Sequence, residues 1–254
     1  MMILEVGNAR LDYSHKNGGY IIAEYTGDKL CKAGIQCGMH NQNFVIQPGK
    51  PRQIPLCFGD GEYNITIYEQ IRDHMYRKLM GLSDESVYMQ NALNPFLGST
   101  VYADYNKESL CVLKANEICK GMKNDIELLS KIYTFVIDNI KYDYALAKEL
   151  SNKSGWWVPD PDEVLNAKKS ICFGFSSLFA SMCRSRGIAT KVVIGNAPIK
   201  RHAWNEVFVR NDGKIGGIKV RKNTWTRLDL SYAACGVSLA FMSDNGSYIP
   251  EYYG

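Results

Sequence analysis

Hydrophobic and polar positions alternate through much of the first eighty or so residues. Across Tyr63-Asn-Ile-Thr-Ile-Tyr68, the residues Tyr63, Ile65 and Ile67 occupy every second position, the period of a strand with one face buried. Tyr20-Ile-Ile-Ala-Glu-Tyr25 and Phe44-Val-Ile46 read as further strands, with breaks at Gly18-Gly19, Pro48-Gly49 and Gly59-Asp60-Gly61. Residues 1–80 are therefore expected to form a small β-sandwich-like domain. Beyond Gly81 the polarity is mixed, Pro95 and Gly98 interrupt it and no period holds, so 81–109 reads as a connecting segment.

From about Leu110 the period changes, and 110–254 is expected to be a second domain of helices and strands. Ile126, Leu129, Tyr133, Val136 and Ile137 share one helical face behind a cap at Asn124 or Asp125. Asp160-Pro-Asp-Glu163 has an acidic cap, proline at the first helical position and Glu three residues on, predicting a short helix toward Ala167. Phe175, Leu178, Phe179 and Met182 mark a helix from about Cys172 to Arg186, stopped by Gly187. Three strands follow: Thr190–Ile194, His202–Val209 and Thr224–Leu230, the last two joined across Asn211-Asp-Gly213.

Composition narrows the partners. The 254 residues are 46% hydrophobic, enough for a sizeable core, and the net charge of +4 is spread without a basic run. No nucleic acid is expected as partner. No apolar stretch is long enough to span a bilayer, and Met-Met-Ile-Leu-Glu-Val-Gly reaches a charge too soon for a secretory signal. The expectation is a cytoplasmic protein, or a secreted one whose signal has been trimmed. The eight cysteines lack the close pairs that bind zinc, and a chain of this size does not need disulfides.

One cysteine stands in a setting that could activate it. A thiolate is the competent sulfur nucleophile, and Cys172 falls in the first turn of its helix, where free N–H groups and the dipole favour an anion, with Lys168 and Lys169 just before it. Gly174, Ser176 and Ser177 are small enough to let backbone approach a substrate. A cysteine on an apolar helix is ordinarily a buried small hydrophobe, as Cys183 is read here. Cys172 differs in its company. Of four histidines only His202 lies beyond residue 74, so it is the available base. An antiparallel register opposing 202 to 229, 204 to 227 and 206 to 225 would bring Asp229 within reach of the imidazole. Nucleophile, base and orienting acid are the set that acyl transfer requires.

Gly-Ile188 after the helix, Ser170-Ile-Cys172-Phe-Gly, His202-Ala-Trp-Asn and Trp225-x-x-Leu-Asp229, in this order, resemble the core motifs of the transglutaminase-like superfamily over roughly residues 120–235. With the N-terminal strands, the chain resembles bacterial proteins that carry a small β domain ahead of such a core. The resemblance implies an α+β, papain-like core with a helix-borne cysteine packed on an antiparallel sheet, and thioester chemistry on an amide carbonyl. It also implies a side-chain oxyanion donor upstream of the cysteine, for which Tyr142, Tyr144, Trp156 and Trp157 are candidates beside the backbone N–H of Cys172. Trp156 and Trp157 could wall a substrate groove. Trp204 is carried as a further lining candidate, although packing is the ordinary role of a strand tryptophan.

The calcium-loop acids of animal transglutaminases have no counterpart, and Asp160, Asp162 and Glu163 read as helix capping, so neither metal nor cofactor is expected. The substrate expected is a peptide or protein, a cell-wall peptide among them, and the leading activity is that of a cysteine peptidase or amidase. Protein-glutamine transamidation and a non-catalytic binding module that retains the triad are the alternatives. Papain-type peptidases would show Asn as third member, and the motifs of arylamine acetyltransferases do not appear.

Overall fold

A computed structural model describes residues 2–152, 157–198, 200–243 and 247–254. The chain divides into two units, Met1–Phe96 and Leu97–Gly254.

The first unit is built of strands β1 (Ile3–Val6), β2 (Ala9–Asp12), β3 (Tyr20–Tyr25), β4 (Cys31–Cys37), β5 (His40–Ile46), β6 (Arg52–Pro55), β7 (Gly61–Arg72) and β8 (Met75–Val87). They form two four-stranded antiparallel sheets, in the orders β1-β2-β3-β6 and β5-β4-β7-β8. Alternate residues make the interior: Ile21, Ala23 and Tyr25 from one sheet, Ala33, Ile35, Tyr63, Ile65 and Ile67 from the other, all buried. The Tyr25 hydroxyl crosses between the sheets to donate to the buried Glu69 carboxylate at 2.6 Å, so the one acid facing this interior is satisfied. The boundary expected at residue 80 falls inside β8, and residues 81–87 are strand rather than connection. Its pairing with β7 slips register at three places, which scrambles the alternation, and as an edge strand it buries only Met80 and Val87.

The second unit contains α1 (Leu110–Ile118), α2 (Asp125–Asn139), β9 (Lys141–Tyr142), α3 (Tyr144–Ser151), α4 (Pro161–Ala167), β10 (Lys169–Ser170) and α5 (Cys172–Ser185). It continues with β11 (Ala189–Asn196), β12 (Arg201–Phe208), β13 (Gly213–Ile215), β14 (Ile218–Val220), β15 (Trp225–Leu228), α6 (Leu230–Ala234), α7 (Leu239–Met242) and β16 (Ile249–Tyr253). The main sheet is antiparallel in the order β15-β12-β11-β16. Helix α5 lies against it, with Phe175, Leu178, Phe179 and Met182 fully buried together with Val207 and Leu228 of the sheet. This is the α+β architecture of a helix-borne cysteine packed on an antiparallel sheet, preceded by a two-sheet β domain.

Local chemistry sets the helix ends that matter. Asn124 caps α2, its side chain accepting from the Ile126 N–H. Asp160 caps α4 by accepting from the N–H groups of Asp162 and Glu163, with Pro161 at the first position. Asp162 reaches across to α1, accepting from the N–H groups of Leu110 and Cys111 at 2.9 Å each. The acidic cluster thus caps two helices. Among the described residues no group of three or more His, Cys, Asp or Glu side chains is placed to hold a metal, and no helix is long and apolar enough to cross a membrane.

Candidate active site

Cys172 opens α5. Its N-cap residue Ile171 has no side chain able to accept from the first turn, so the leading N–H groups of this helix have no side-chain cap. That is a polar, electropositive setting for a half-buried thiol. Of the neighbouring lysines, Lys169 is paired with Asp143 at 3.1 Å, and Lys168 takes the left-handed C-cap position of α4. Gly174, Ser176 and Ser177 also differ from expectation. A Cβ on Gly174 would stand 1.9 Å from Ser170 Oγ, so this glycine lets α5 approach β10 and α4 closely, while Ser176 and Ser177 are buried and offer no surface to a substrate.

His202 lies on β12, buried to 2%, and its Nε2 is 2.9 Å from Oδ2 of Asp229, itself 1% exposed. The register that produces this contact differs from expectation by two residues: Glu206 opposes Arg227, Phe208 opposes Trp225, and the ladder ends at Asn205 opposite Leu228. Asp229 therefore reaches the histidine from just beyond β15, as the N-cap of α6, with Oδ1 accepting from the Tyr232 N–H at 3.1 Å. One carboxylate caps a helix through one oxygen and holds the imidazole through the other.

Three hydroxyl-bearing residues that sequence reasoning did not single out complete this environment. Ser231 Oγ lies 3.2 Å from Asp229 Oδ1 and 3.4 Å from His202 Nε2. The Tyr232 ring stacks on the imidazole at 4.2 Å between centroids and 19° between planes. The Tyr248 hydroxyl donates to Asp229 Oδ2 at 3.0 Å. Ser231 and Tyr232 lie two and three residues after Asp229 and could have been suspected from that proximity; Tyr248 carries no local signal.

Burial opposes charging of His202, but the hydrogen bond to Asp229, the nearby Cys172 thiol and the charges of both outweigh it and push the imidazole up to about 9. Nδ1 is buried with no formed hydrogen bond in this resting geometry, leaving it as the ring atom open to the thiol.

The aromatic candidates separate clearly. Tyr142 sits on β9, which pairs in parallel with β10 just before Cys172. Its hydroxyl is pushed up to about 12, by burial first and then by the adjacent thiol of Cys172 and its neighbours. Tyr144 is 73% exposed and lies at a tilt against Tyr142, 4.9 Å between centroids. Trp157 meets Phe173, the residue after the cysteine, edge-on at 6.2 Å. Trp156 lies outside the described residues. Trp204 is corrected: it is 1% exposed, packed with Val193, Ala197 and Tyr248, and has no surface to offer a substrate.

Residues 114–230, just under half of the chain and including Cys172, His202 and Asp229, match the model of the Transglutaminase-like superfamily. Human Kyphoscoliosis peptidase is 26% identical over 106 residues, and the mouse protein is 24% identical over the same length, in each case 37% of this chain and 15% of the relative. The chain therefore spans a small part of the length of these curated relatives. A Cytophaga hutchinsonii protein assigned as a cysteine protease aligns with a TM-score of 0.46 at 16% identity, covering 65% of this chain and 48% of that one. The periplasmic domain of TgpA from Pseudomonas aeruginosa aligns at 0.38 and 11% identity, over 91% and 74%. Red sea bream transglutaminase aligns at 0.34 and 12%, over 91% and 53%.

Proposed function

We propose that this chain, whose residues 114–230 belong to the transglutaminase-like superfamily, is a thiol-dependent peptidase or amidase acting on peptide or isopeptide amides through Cys172. The observation that carries the reading is the buried His202–Asp229 hydrogen bond of 2.9 Å, beside a cysteine in the uncapped first turn of α5. A histidine held charged by an acid is what stabilises a neighbouring thiolate, and free helix N–H groups are suited to the oxyanion that follows attack.

In this reading the Cys172 sulfur attacks the amide carbon, and the tetrahedral oxyanion is met by backbone N–H groups of the first turn. His202 gives its proton to the leaving nitrogen, the C–N bond breaks, the amine departs and a thioester remains. Water, giving its proton to His202, attacks the thioester carbon; the C–S bond breaks, the carboxylic acid leaves and the thiolate–imidazolium pair returns. Asp229 holds the ring throughout. An amine in place of water would make the same site a transamidase, and product analysis with an added primary amine distinguishes the two.

The test is iodoacetamide labelling across pH, located by mass spectrometry, for the wild type and His202→Ala. Cys172 is expected to label faster than the exposed Cys235 near neutral pH and to lose that advantage in the variant. Labelling of Cys172 no faster than Cys235 would sink the enzyme reading and leave a binding module that retains the three residues.

A further inference from the structure

The acid of the dyad is shared. Asp229 Oδ2 accepts from His202 Nε2 at 2.9 Å and from the Tyr248 hydroxyl at 3.0 Å, while Oδ1 is taken by Ser231 and the Tyr232 N–H. Tyr248 is 6% exposed, and its ring is clamped on two sides: edge-on against the buried Trp204 at 5.1 Å, and beneath the Arg227 guanidinium at 3.7 Å. Arg227 is in turn anchored to the Met242 carbonyl at 2.6 Å. Tyr248 stands immediately before β16, whose pairing with β11 sets its position; at Gly195 the two backbones approach so closely that a Cβ would stand 2.1 Å from the Ile249 carbonyl oxygen.

We infer that Tyr248 is a positioning residue, delivered by the C-terminal strand, whose hydroxyl fixes the Asp229 carboxylate and moderates the negative charge it offers to His202. The inference rests on the proposed role of the dyad. A carboxylate oxygen that accepts from a neutral hydroxyl has less charge to give to an imidazolium on the same atom, and its torsion is held so that Oδ2 faces the ring. Trp204, buried away from substrate, acts in this arrangement as the wall that holds Tyr248.

The groups acting on the pair come from several elements. His202 is faced by Asp229, Ser231 and Tyr232 and by Cys172 from α5. Asp229 is faced by Tyr248 and by Tyr133 from α2, with Arg227 above the Tyr248 ring. Of these, only Tyr248 donates a side-chain hydrogen bond to the oxygen that holds the histidine.

The test is the His202 imidazole titration in full-length Tyr248→Phe, followed by 15N NMR and assigned with His202→Ala, together with iodoacetamide labelling of Cys172. Phenylalanine keeps the ring between Trp204 and Arg227, so the fold is retained and a thermal melt checks it. The His202 midpoint is expected to move up by roughly half a unit to one unit, with Cys172 labelling slowed several-fold as the carboxylate loses its hold. Tyr248→Leu, lacking both ring and hydroxyl, should give the same shift with a lower melting temperature. An unmoved midpoint in folded Tyr248→Phe overturns the inference, even if Cys172 labels in a His202-dependent way. A moved midpoint beside an unreactive Cys172 upholds it and overturns the proposed function instead.

Discussion

At His202 the balance between burial and partnership sets a pH dependence. The folded-state imidazole is pushed up to about 9 from an ordinary value of about 6.5, so the charged form is favoured by folding. The resulting stabilisation is fully present below pH ~6.5 and is lost as the pH rises through about 9. It is on the order of 3 kcal/mol, and urea titrations at pH 6 and pH 9.5 should show the difference. Asp229→Asn removes the charge that opposes burial while keeping a good N-cap for α6, since asparagine serves that position as well as aspartate. In that variant the His202 midpoint is expected below the ordinary imidazole range, the loss of stability between those two pH values should flatten, and Cys172 labelling near neutral pH should fall by roughly a hundredfold. A stability profile identical to wild type would show that the dyad is not charged in the folded protein.

Elements are held at the site by two devices. Gly174 lets the first turn of α5 press against Ser170 and Val164, so Gly174→Ala places a methyl group where Ser170 already stands. The expected cost is about 2 to 3 kcal/mol in a urea melt, accompanied by slower Cys172 labelling because the cysteine lies two residues away on the displaced turn. The second device is the pair of caps shared between α1 and α4. Asp162→Ala leaves two N–H groups of α1 without their acceptor and should cost about 1 to 2 kcal/mol, with Cys172 reactivity unchanged since neither helix carries a residue of the dyad. Equal losses of reactivity in both variants would mean that stability rather than local placement governs the thiol.

At the scale of the molecule, the division at residues 96 and 97 leaves every residue of the candidate site in one unit. That unit has its own core, in which α1, α2 and α5 and the sheet share one buried cluster. A fragment of residues 97–254 is therefore expected to fold with a single cooperative melt and to label at Cys172 at the full-length rate. Loss of labelling in a folded fragment would assign the β domain a part in the site.

The amino-acid sequence by itself determined the helices that carry strong periods and polar caps, the strands with clean alternation, and the order of Cys172, His202 and Asp229. These are governed by interactions within a few residues: the cap at Asp160 is complete between residues 160 and 163, and the alternation of Tyr63, Ile65 and Ile67 needs only the pleat of one strand. Tertiary structure decided what depends on partners far along the chain. The register of β12 against β15 stands two residues from the one that would oppose 202 to 229, because the carboxylate reaches the histidine from a helix cap rather than from across a ladder. Strand β8 was hidden by register slips against β7, and the burial of Trp204 depends on residues some forty positions away. Tyr248 reaches Asp229 only because β16 completes the sheet edge beside β11, a pairing between segments about fifty-five residues apart that no local period records.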